Sequence, residues 1–182
     1  MRAAEAGRYF ESAAGTAGLI IDLRNYPSDF PIFQIGGRLV SETTPFVQFT
    51  RADLGNPGAF HFRDGAALQP LAPHYKGKVV ILIDEITQSS AEYHTMAFRT
   101  APRAVVLGST TAGADGNVST IPLPGNERSM ISGIGVFYPD KRPTQRIGIV
   151  PDVELKPTIA GIRDGRDELI EAAIRIIRGA NP

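Results

Sequence analysis

The sequence of 182 residues contains no cysteine, no run of like charge and no long apolar segment. The absence of cysteine excludes a disulfide framework, a thiolate metal site and a cysteine nucleophile. No apolar run reaches the roughly 18 residues that a membrane span requires, so we expect no membrane-spanning helix. Lysine plus arginine and aspartate plus glutamate number 19 each, and this zero net charge disfavours a nucleic-acid-binding protein, which usually carries a basic face.

Hydrophobic residues make up 42% of the chain, enough for the core of one domain of ordinary size. The chain opens with Met1 and Arg2, followed by a segment rich in alanine and glutamate rather than the apolar stretch of a signal peptide. Such a segment is typical of a helix interior. We therefore interpret residues 1–182 as a single domain of a longer protein, without its upstream regions.

Short apolar segments alternate with helical segments along the chain, which indicates an α/β domain with mostly parallel strand pairing. Residues 36–75 are rich in Gly, Pro, Thr and Phe and are predicted as an irregular excursion with one strand at Pro45–Thr50. Asp164 is predicted to cap the last helix. The predicted buried strands are Gly18–Leu23, Val79–Ile83, Ala104–Leu107 and Ser129–Tyr138, and the predicted helices are residues 3–13, 89–99 and 165–178.

One serine occupies a position with two chemical advantages. Ser89 follows the apolar segment Val79–Ile83 and stands at the start of the next predicted helix. Unpaired N–H groups at a helix N-terminus can stabilise a developing oxyanion, and the helix dipole adds to this effect. The pattern also has a purely structural interpretation, because Ser89 and Glu92 have the spacing of a capping box. Since caps are far commoner than nucleophiles, this segment alone favours the cap.

Four segments between residues 18 and 155, taken together, shift the interpretation of Ser89 from a helix cap towards a nucleophile. In order, they are GLIIDLRNYPSD, VVILIDEITQSSAEY, AVVLGSTTAGADG and GIGVFYPDKRPTQRIGIVPDVEL. None is specific alone, but the ordered set resembles the tail-specific (C-terminal-processing) and tricorn-core serine peptidases. The resemblance implies a ClpP/crotonase-like α/β catalytic domain with a mostly parallel sheet and flanking helices. It also implies a serine endopeptidase, without metal or cofactor, that acts on unstructured polypeptides or protein C-terminal tails.

The resemblance implies roles for four residues. In the family the nucleophile lies three residues before the glutamate, which makes it Ser89 rather than Ser90. The oxyanion donors would be the N–H of Ser90 and an N–H from the loop after Asp-Leu-Arg, where Ser28 or Asp29 could present it and we assign it to Ser28. That loop lacks the consecutive glycines usual in the family. Gln145 stands where the tricorn-like branch has a glutamate that supports a histidine base, and it would orient that base.

The general base is the part of the pattern that the sequence lacks. The tail-specific branch uses a lysine at the position that corresponds to Ala114 here, and no lysine occurs between positions 78 and 141. The tricorn-like branch uses a histidine upstream of the Asp-Leu-Arg strand, and the first 17 residues contain none. His94 lies five residues after Ser89, about 140° around a helix and ~7.5 Å along it, too far for a hydrogen bond. The other two histidines are interpreted as solvated surface residues, so we expect the base to come from outside this chain.

Three functions remain open. The first is a peptidase catalytic core, closer to the tricorn-like branch, that forms an acyl-enzyme at Ser89. The second is a catalytically impaired relative that binds peptides or organises an assembly, which the missing lysine and glutamate favour. The third is a crotonase-type acyl-thioester enzyme on the same fold, although the sequence offers no glycine-built oxyanion loop. The resemblance further implies a polypeptide partner and a cell-envelope or secreted location, and it leaves a homo-oligomer open.

Overall fold

The computed structural model of the protein describes residues 2–180 and alternates strands with helices. Within these residues, no helix has the length and apolar character needed to cross a membrane. The helices are α1 (Ala6–Ala13), α2 (Ile32–Leu39), α3 (Ser90–Phe98), α4 (Ile159–Arg163) and α5 (Glu168–Ile177). The strands are β1 (Gly18–Asp22), β2 (Thr44–Ala52), β3 (Phe60–Leu68), β4 (Lys78–Ile83), β5 (Val105–Gly108), β6 (Val118–Leu123), β7 (Glu127–Ser132), β8 (Val136–Phe137) and β9 (Val153–Glu154).

Four strands form a parallel sheet in the order β1-β4-β5-β9. Every residue of the segment 79–83 in β4 is at most 2% exposed, because the sheet is covered on both faces. Successive side chains of a strand point to opposite faces. Val80 and Leu82 accordingly pack against α5, whereas Ile81 and Ile83 pack into the larger cluster that includes α2 and α3. The predicted α/β class with a mostly parallel sheet and flanking helices is confirmed.

The segment 36–75 is more regular than the sequence indicates, and the prediction of an irregular excursion is wrong. It contains the end of α2 and the antiparallel pair β2–β3, which joins β8 in a second sheet of order β3-β2-β8. Two glycines interrupt the helical pattern of α2 and conceal it. A Cβ at Gly36 would lie 2.7 Å from the Leu68 side chain, and one at Gly37 would lie 2.5 Å from the Gln69 carbonyl oxygen. Close packing against the second sheet therefore requires both glycines.

The prediction that Ser129–Tyr138 forms one buried strand is also wrong. Its first residues belong to β7, which forms an exposed antiparallel hairpin with β6, and its last ones include β8. Met130 is 71% exposed and Ile131 is 54% exposed. Apolar composition alone does not distinguish a core strand from an exposed hairpin, and this explains the error.

The Asp-Leu-Arg segment joins the end of β1 to α5. The Arg24 guanidinium makes paired hydrogen bonds to Asp22 at 2.6 and 2.9 Å and to Asp167 at 2.7 and 3.1 Å. Asp167 also caps α5 by accepting the Ile170 N–H at 3.0 Å. The predicted cap, Asp164, lies instead at the end of α4, because α5 begins three residues later than expected. This network fixes the start of the loop that follows β1.

Candidate active site

Ser89 is the residue immediately before α3, and its backbone conformation is unusual. Its φ is 51° and its ψ is −119°, a region that residues with a side chain rarely adopt and that costs about 1–3 kcal/mol. The residue is half-buried in the tight connection between the central strand β4 and α3. Strain of this kind is typical of a nucleophile elbow, a sharp strand-to-helix turn that exposes a serine hydroxyl. The predicted place of Ser89, at the first turn of a helix after a central strand, is confirmed.

Ser89 and Glu92 form a capping box at the start of α3, in which the Ser89 side chain approaches the Glu92 N–H without making a full side-chain hydrogen bond. The reciprocal contact is present, because Glu92 Oε2 accepts the Ser89 N–H at 3.0 Å. Among the described residues, the hydrogen bond to Ser89 Oγ comes from the Tyr26 hydroxyl at 3.5 Å. The cap therefore engages the serine side chain only weakly.

The turn that carries Ser89 is held by Thr87 and Asp84. Asp84 Oδ1 accepts both the N–H and the hydroxyl of Thr87 at 2.9 Å. The Thr87 hydroxyl also lies 3.3 Å from the Leu23 carbonyl oxygen, and the Thr87 carbonyl accepts the Ala112 N–H at 2.9 Å. These bonds connect the loops that follow β1, β4 and β5. Three loops therefore meet at Ser89, at the carboxyl ends of the parallel strands.

Glu92 is the centre of the hydrogen bonding around this serine. The residue is fully buried, and its Oε1 accepts the Thr111 hydroxyl and the Gly113 N–H, the latter at 2.9 Å. Its Oε2 accepts the N–H groups of Ser89 and Ala114, both at 3.0 Å, so these two nitrogens are at most about 6 Å apart. Four donors around one side chain match a carboxylate, which only accepts hydrogen bonds. The sequence analysis used Glu92 only to place the nucleophile, although the same spacing was the available signal for this role.

No histidine or lysine among residues 2–180 is hydrogen-bonded to the Ser89 hydroxyl, which agrees with the sequence-based expectation. Ala114 occupies the position at which the tail-specific branch has its lysine. Its N–H and the N–H of Ser89 both donate to Glu92 Oε2, so its backbone lies near Ser89. His94 is fully buried between two phenylalanine rings, and this burial lowers its pKa. Its Nδ1 is hydrogen-bonded to the Ser90 carbonyl. The other two histidines are exposed, as predicted.

Ser90 offers an unused backbone donor. Its N–H opens α3 and has no hydrogen-bond partner among the described residues. The positive end of the helix dipole lies at the same point. The Ser90 hydroxyl lies 3.4 Å from His94 Nδ1, so the side chain is on the side of the buried histidine. The backbone of Ser90 is thus suited to the predicted oxyanion role.

The loop that was expected to supply the second donor reaches Ser89 through a different residue. Ser28 is exposed, and within the described part of the chain it makes no hydrogen bond to Ser89. Pro27, its neighbour, has no N–H to offer. The group from this loop that contacts the Ser89 hydroxyl is the phenol of Tyr26. Sequence reasoning did not single out Tyr26, and no local pattern indicates this contact.

A groove of about 830 Å³ lies beside the Glu92-bound loop, and Gln145 lines it. The Gln145 Nε2 donates to the carbonyl oxygens of Asp115 at 2.8 Å and Ile134 at 3.0 Å. Its Oε1 accepts the Val136 N–H at 3.3 Å. Gln145 therefore lines the groove and fastens two of its walls to each other. Its role in orienting a histidine stays a prediction.

Asp115 adds a buried carboxyl to the wall of this groove. It is 7% exposed, its Oδ1 accepts the Gly116 N–H at 2.7 Å, and its Oδ2 has no partner among the described residues. Burial raises the pKa of Asp115 to about 7, and the nearby Glu92 acts in the same direction. Tyr93 faces it, and the pKa of this tyrosine is raised to about 12, first by burial and then by Asp115. In the sequence, nothing distinguishes Asp115 from an ordinary turn residue.

We expect the free energy of unfolding to fall between about pH 4 and pH 7 because of Asp115. Its pKa of about 7 in the folded protein lies above the ordinary value of 3.8, so ionisation on raising the pH disfavours the folded state. The shift corresponds to a loss of up to about 4 kcal/mol by pH 8. Asp115→Asn should remove this loss, so the variant should gain stability over the parent as pH rises. Urea unfolding at pH 4, 6 and 8 measures the effect.

The exposed Asp64, as Asp64→Asn, is the matched control and should leave the pH dependence unchanged. A loss of stability in Asp115→Asn that is equal at all three pH values would contradict the assignment.

Fold and site together define a class of protein: an α/β domain that presents a strained serine at a helix N-terminus, above the carboxyl ends of parallel strands. The sequence model of peptidase family S41 matches residues 2–155. The chain belongs to peptidase family S41, a family of serine peptidases. The resemblance derived from the four sequence segments is confirmed. No curated protein sequence matches the chain.

Solved structures support the same fold. A candidate peptidase from Parabacteroides merdae ATCC 43184 has a TM-score of 0.84 at 23% identity, over 96% of this chain and 56% of that one. Mature CPAF has a TM-score of 0.78 at 16% identity, over 97% and 47%. The photosystem II D1 C-terminal processing protease has a TM-score of 0.55 at 25% identity, over 85% and 39%. The chain thus spans about half or less of the length of these structures.

Proposed function

We propose that this chain is the catalytic core of a serine endopeptidase that cleaves unstructured polypeptides or protein tails through an acyl-enzyme at Ser89. The observation that carries the proposal is the backbone of Ser89, with φ of 51° at the junction of β4 and α3. A serine that only caps a helix has an extended backbone, and its side-chain oxygen accepts a backbone N–H of the first turn. The backbone of Ser89 is not extended and its side chain makes no full hydrogen bond to α3, and its strain has a purpose if it presents the hydroxyl to a substrate.

The reaction proceeds in two steps. Ser89 Oγ attacks the scissile carbonyl carbon, its proton passes to a general base, and the carbonyl oxygen becomes an oxyanion. The oxyanion accepts a hydrogen bond from the Ser90 N–H and a second one from the loop after β1, where Ser28 is the candidate implied by the family. The C–N bond then breaks, and the amine leaves with the proton from the base. Water hydrolyses the remaining ester and regenerates Ser89.

The base is proposed to be a histidine from outside residues 2–180, because no described histidine or lysine is hydrogen-bonded to the Ser89 hydroxyl. Gln145 uses both N–H groups on backbone carbonyls, and its Oε1, which already accepts the Val136 N–H, has one lone pair left to accept the N–H of an imidazole. An amide can orient the ring in this way, but it supplies no charge to stabilise an imidazolium. The largely apolar groove beside Gly113 and Ala114 is the proposed path of the substrate chain.

A fluorophosphonate probe tests this proposal directly, because it forms a stable covalent adduct only with an activated serine. In the full-length protein we expect one modified residue, Ser89, identified by peptide mapping, and no labelling in the Ser89→Ala variant. Labelling of Ser90 instead would mean that the nucleophile is Ser90, one residue after the assigned position. If the protein is not labelled and does not hydrolyse reduced casein, the impaired, peptide-binding relative is the better description.

A further inference from the structure

Tyr26 places a phenol beside the proposed nucleophile. Its Oη lies 3.5 Å from Ser89 Oγ, and the residue is 62% exposed. A contact of 3.5 Å is longer than the usual 2.5–3.0 Å of an O–H···O hydrogen bond, so the phenol is only weakly held by the serine. Catalytic hydrogen bonds are often long before substrate binds and shorten in the reacting complex. The exposed ring has the freedom to make that adjustment.

The loop that carries Tyr26 is held firmly on both sides of it. Before Tyr26, the Leu23 N–H donates to the Leu82 carbonyl at 2.9 Å, and Arg24 is bound to two aspartates. After Tyr26, the Asp29 carboxylate accepts the N–H groups of Ala3 and Phe30, both at 2.7 Å. A pinned loop with an exposed tip keeps the phenol near Ser89 while its ring can still tilt.

We propose that the Tyr26 hydroxyl is the second oxyanion donor of this site, together with the Ser90 N–H. The oxyanion forms on the same carbon that Ser89 Oγ attacks, so a donor beside Oγ is also beside the new oxyanion. An effective donor lies 2.7–3.1 Å from that oxygen, which a small tilt of the ring from its position 3.5 Å from Oγ would achieve. The phenol keeps its proton throughout, since it donates a hydrogen bond and breaks no bond.

This assignment also accounts for the composition of the loop. The loop has no glycine between Leu23 and Phe30, and Pro27 lacks an N–H altogether. A side-chain donor does not require the backbone to approach the substrate closely, which is what glycines permit. Tyr26 would thus perform the task that consecutive glycines perform elsewhere in the family. The inference rests on the proposed acyl transfer at Ser89.

The test is steady-state hydrolysis of reduced casein by the full-length protein and its Tyr26→Phe variant, which loses only the hydroxyl. We expect kcat to fall by about 10²- to 10³-fold, the usual loss for one oxyanion donor, with KM changed less than about threefold. The melting temperature should not change, because the ring is exposed and stays in place. Tyr75→Phe is the matched control, because its hydroxyl bonds Thr16 at the amino ends of the strands, away from Ser89.

The outcomes separate this inference from the proposed function. If the parent protein hydrolyses casein and Tyr26→Phe is equally fast, a backbone N–H such as that of Ser28 is the donor, and the inference is wrong. A raised KM with unchanged kcat would also overturn it, since Tyr26 would then only bind the ground state. If the parent protein neither hydrolyses casein nor reacts with a fluorophosphonate, the proposed function itself fails, and with it this inference.

Discussion

Replacement of Ser89 by alanine is expected to abolish hydrolysis of unfolded polypeptide by the full-length protein and to leave its melting temperature nearly unchanged. The nucleophile contributes through the covalent step, and its loss typically lowers kcat by on the order of 10⁶-fold. The Ser89 hydroxyl makes no full hydrogen bond to α3, so its removal should cost the helix little. Hydrolysis of reduced casein and thermal unfolding followed by circular dichroism measure the two effects.

Two further substitutions at this turn sharpen the result. Ser89→Gly should be equally inactive but more stable than the parent by about 1 kcal/mol, because glycine adopts a φ of 51° without the strain of a Cβ atom. Ser90→Ala keeps the backbone N–H and should retain most activity. If Ser89→Ala instead lost about 1 kcal/mol of stability and kept its activity, the serine would be an ordinary cap.

The sequence predicts best those elements whose apolar composition directly indicates that they are buried. Gly18–Leu23 and Val79–Ile83 are short apolar runs, and both form strands of the parallel sheet. The position of Ser89 followed from the order of four motifs along the chain rather than from its own surroundings. α2 was not predicted because its two glycines weaken the helical pattern, although the close approach of Gly36 to Leu68 and of Gly37 to the Gln69 carbonyl requires them.

The contacts of the candidate site were not predictable from local pattern. Tyr26 and Ser89 are far apart in sequence, and the contact depends on how the loop after β1 is tied to α5 and to the N-terminal turn. Asp115 looks like a turn residue in the sequence, and only the walls of the groove make it buried. The strain at Ser89 is likewise invisible, because serine is common in unstrained turns and caps. All three features arise from tertiary packing.

Glu92 is expected to be the most sensitive position of the site for both stability and activity. Each of its oxygens accepts a backbone N–H, from Gly113 on one side and from Ser89 and Ala114 on the other. In Glu92→Gln the amide NH₂ group must face at least one of these N–H groups, whichever way it is turned. A buried donor left without an acceptor costs about 1–3 kcal/mol, and more when the lost partner was charged.

We therefore expect Glu92→Gln to lower the free energy of unfolding by about 3 kcal/mol and to reduce kcat by at least about 100-fold. The loss of activity follows because Glu92 holds the backbone of Ser89 against the loop at Gly113 and Ala114, and small displacements of catalytic groups have effects of this size. Urea unfolding and casein hydrolysis measure both quantities. Glu42→Gln is the matched control, since Glu42 is exposed and should change stability by less than about 0.5 kcal/mol. If Glu92→Gln were as stable and as active as this control, the hydrogen bonds to Glu92 would not be what positions the nucleophile.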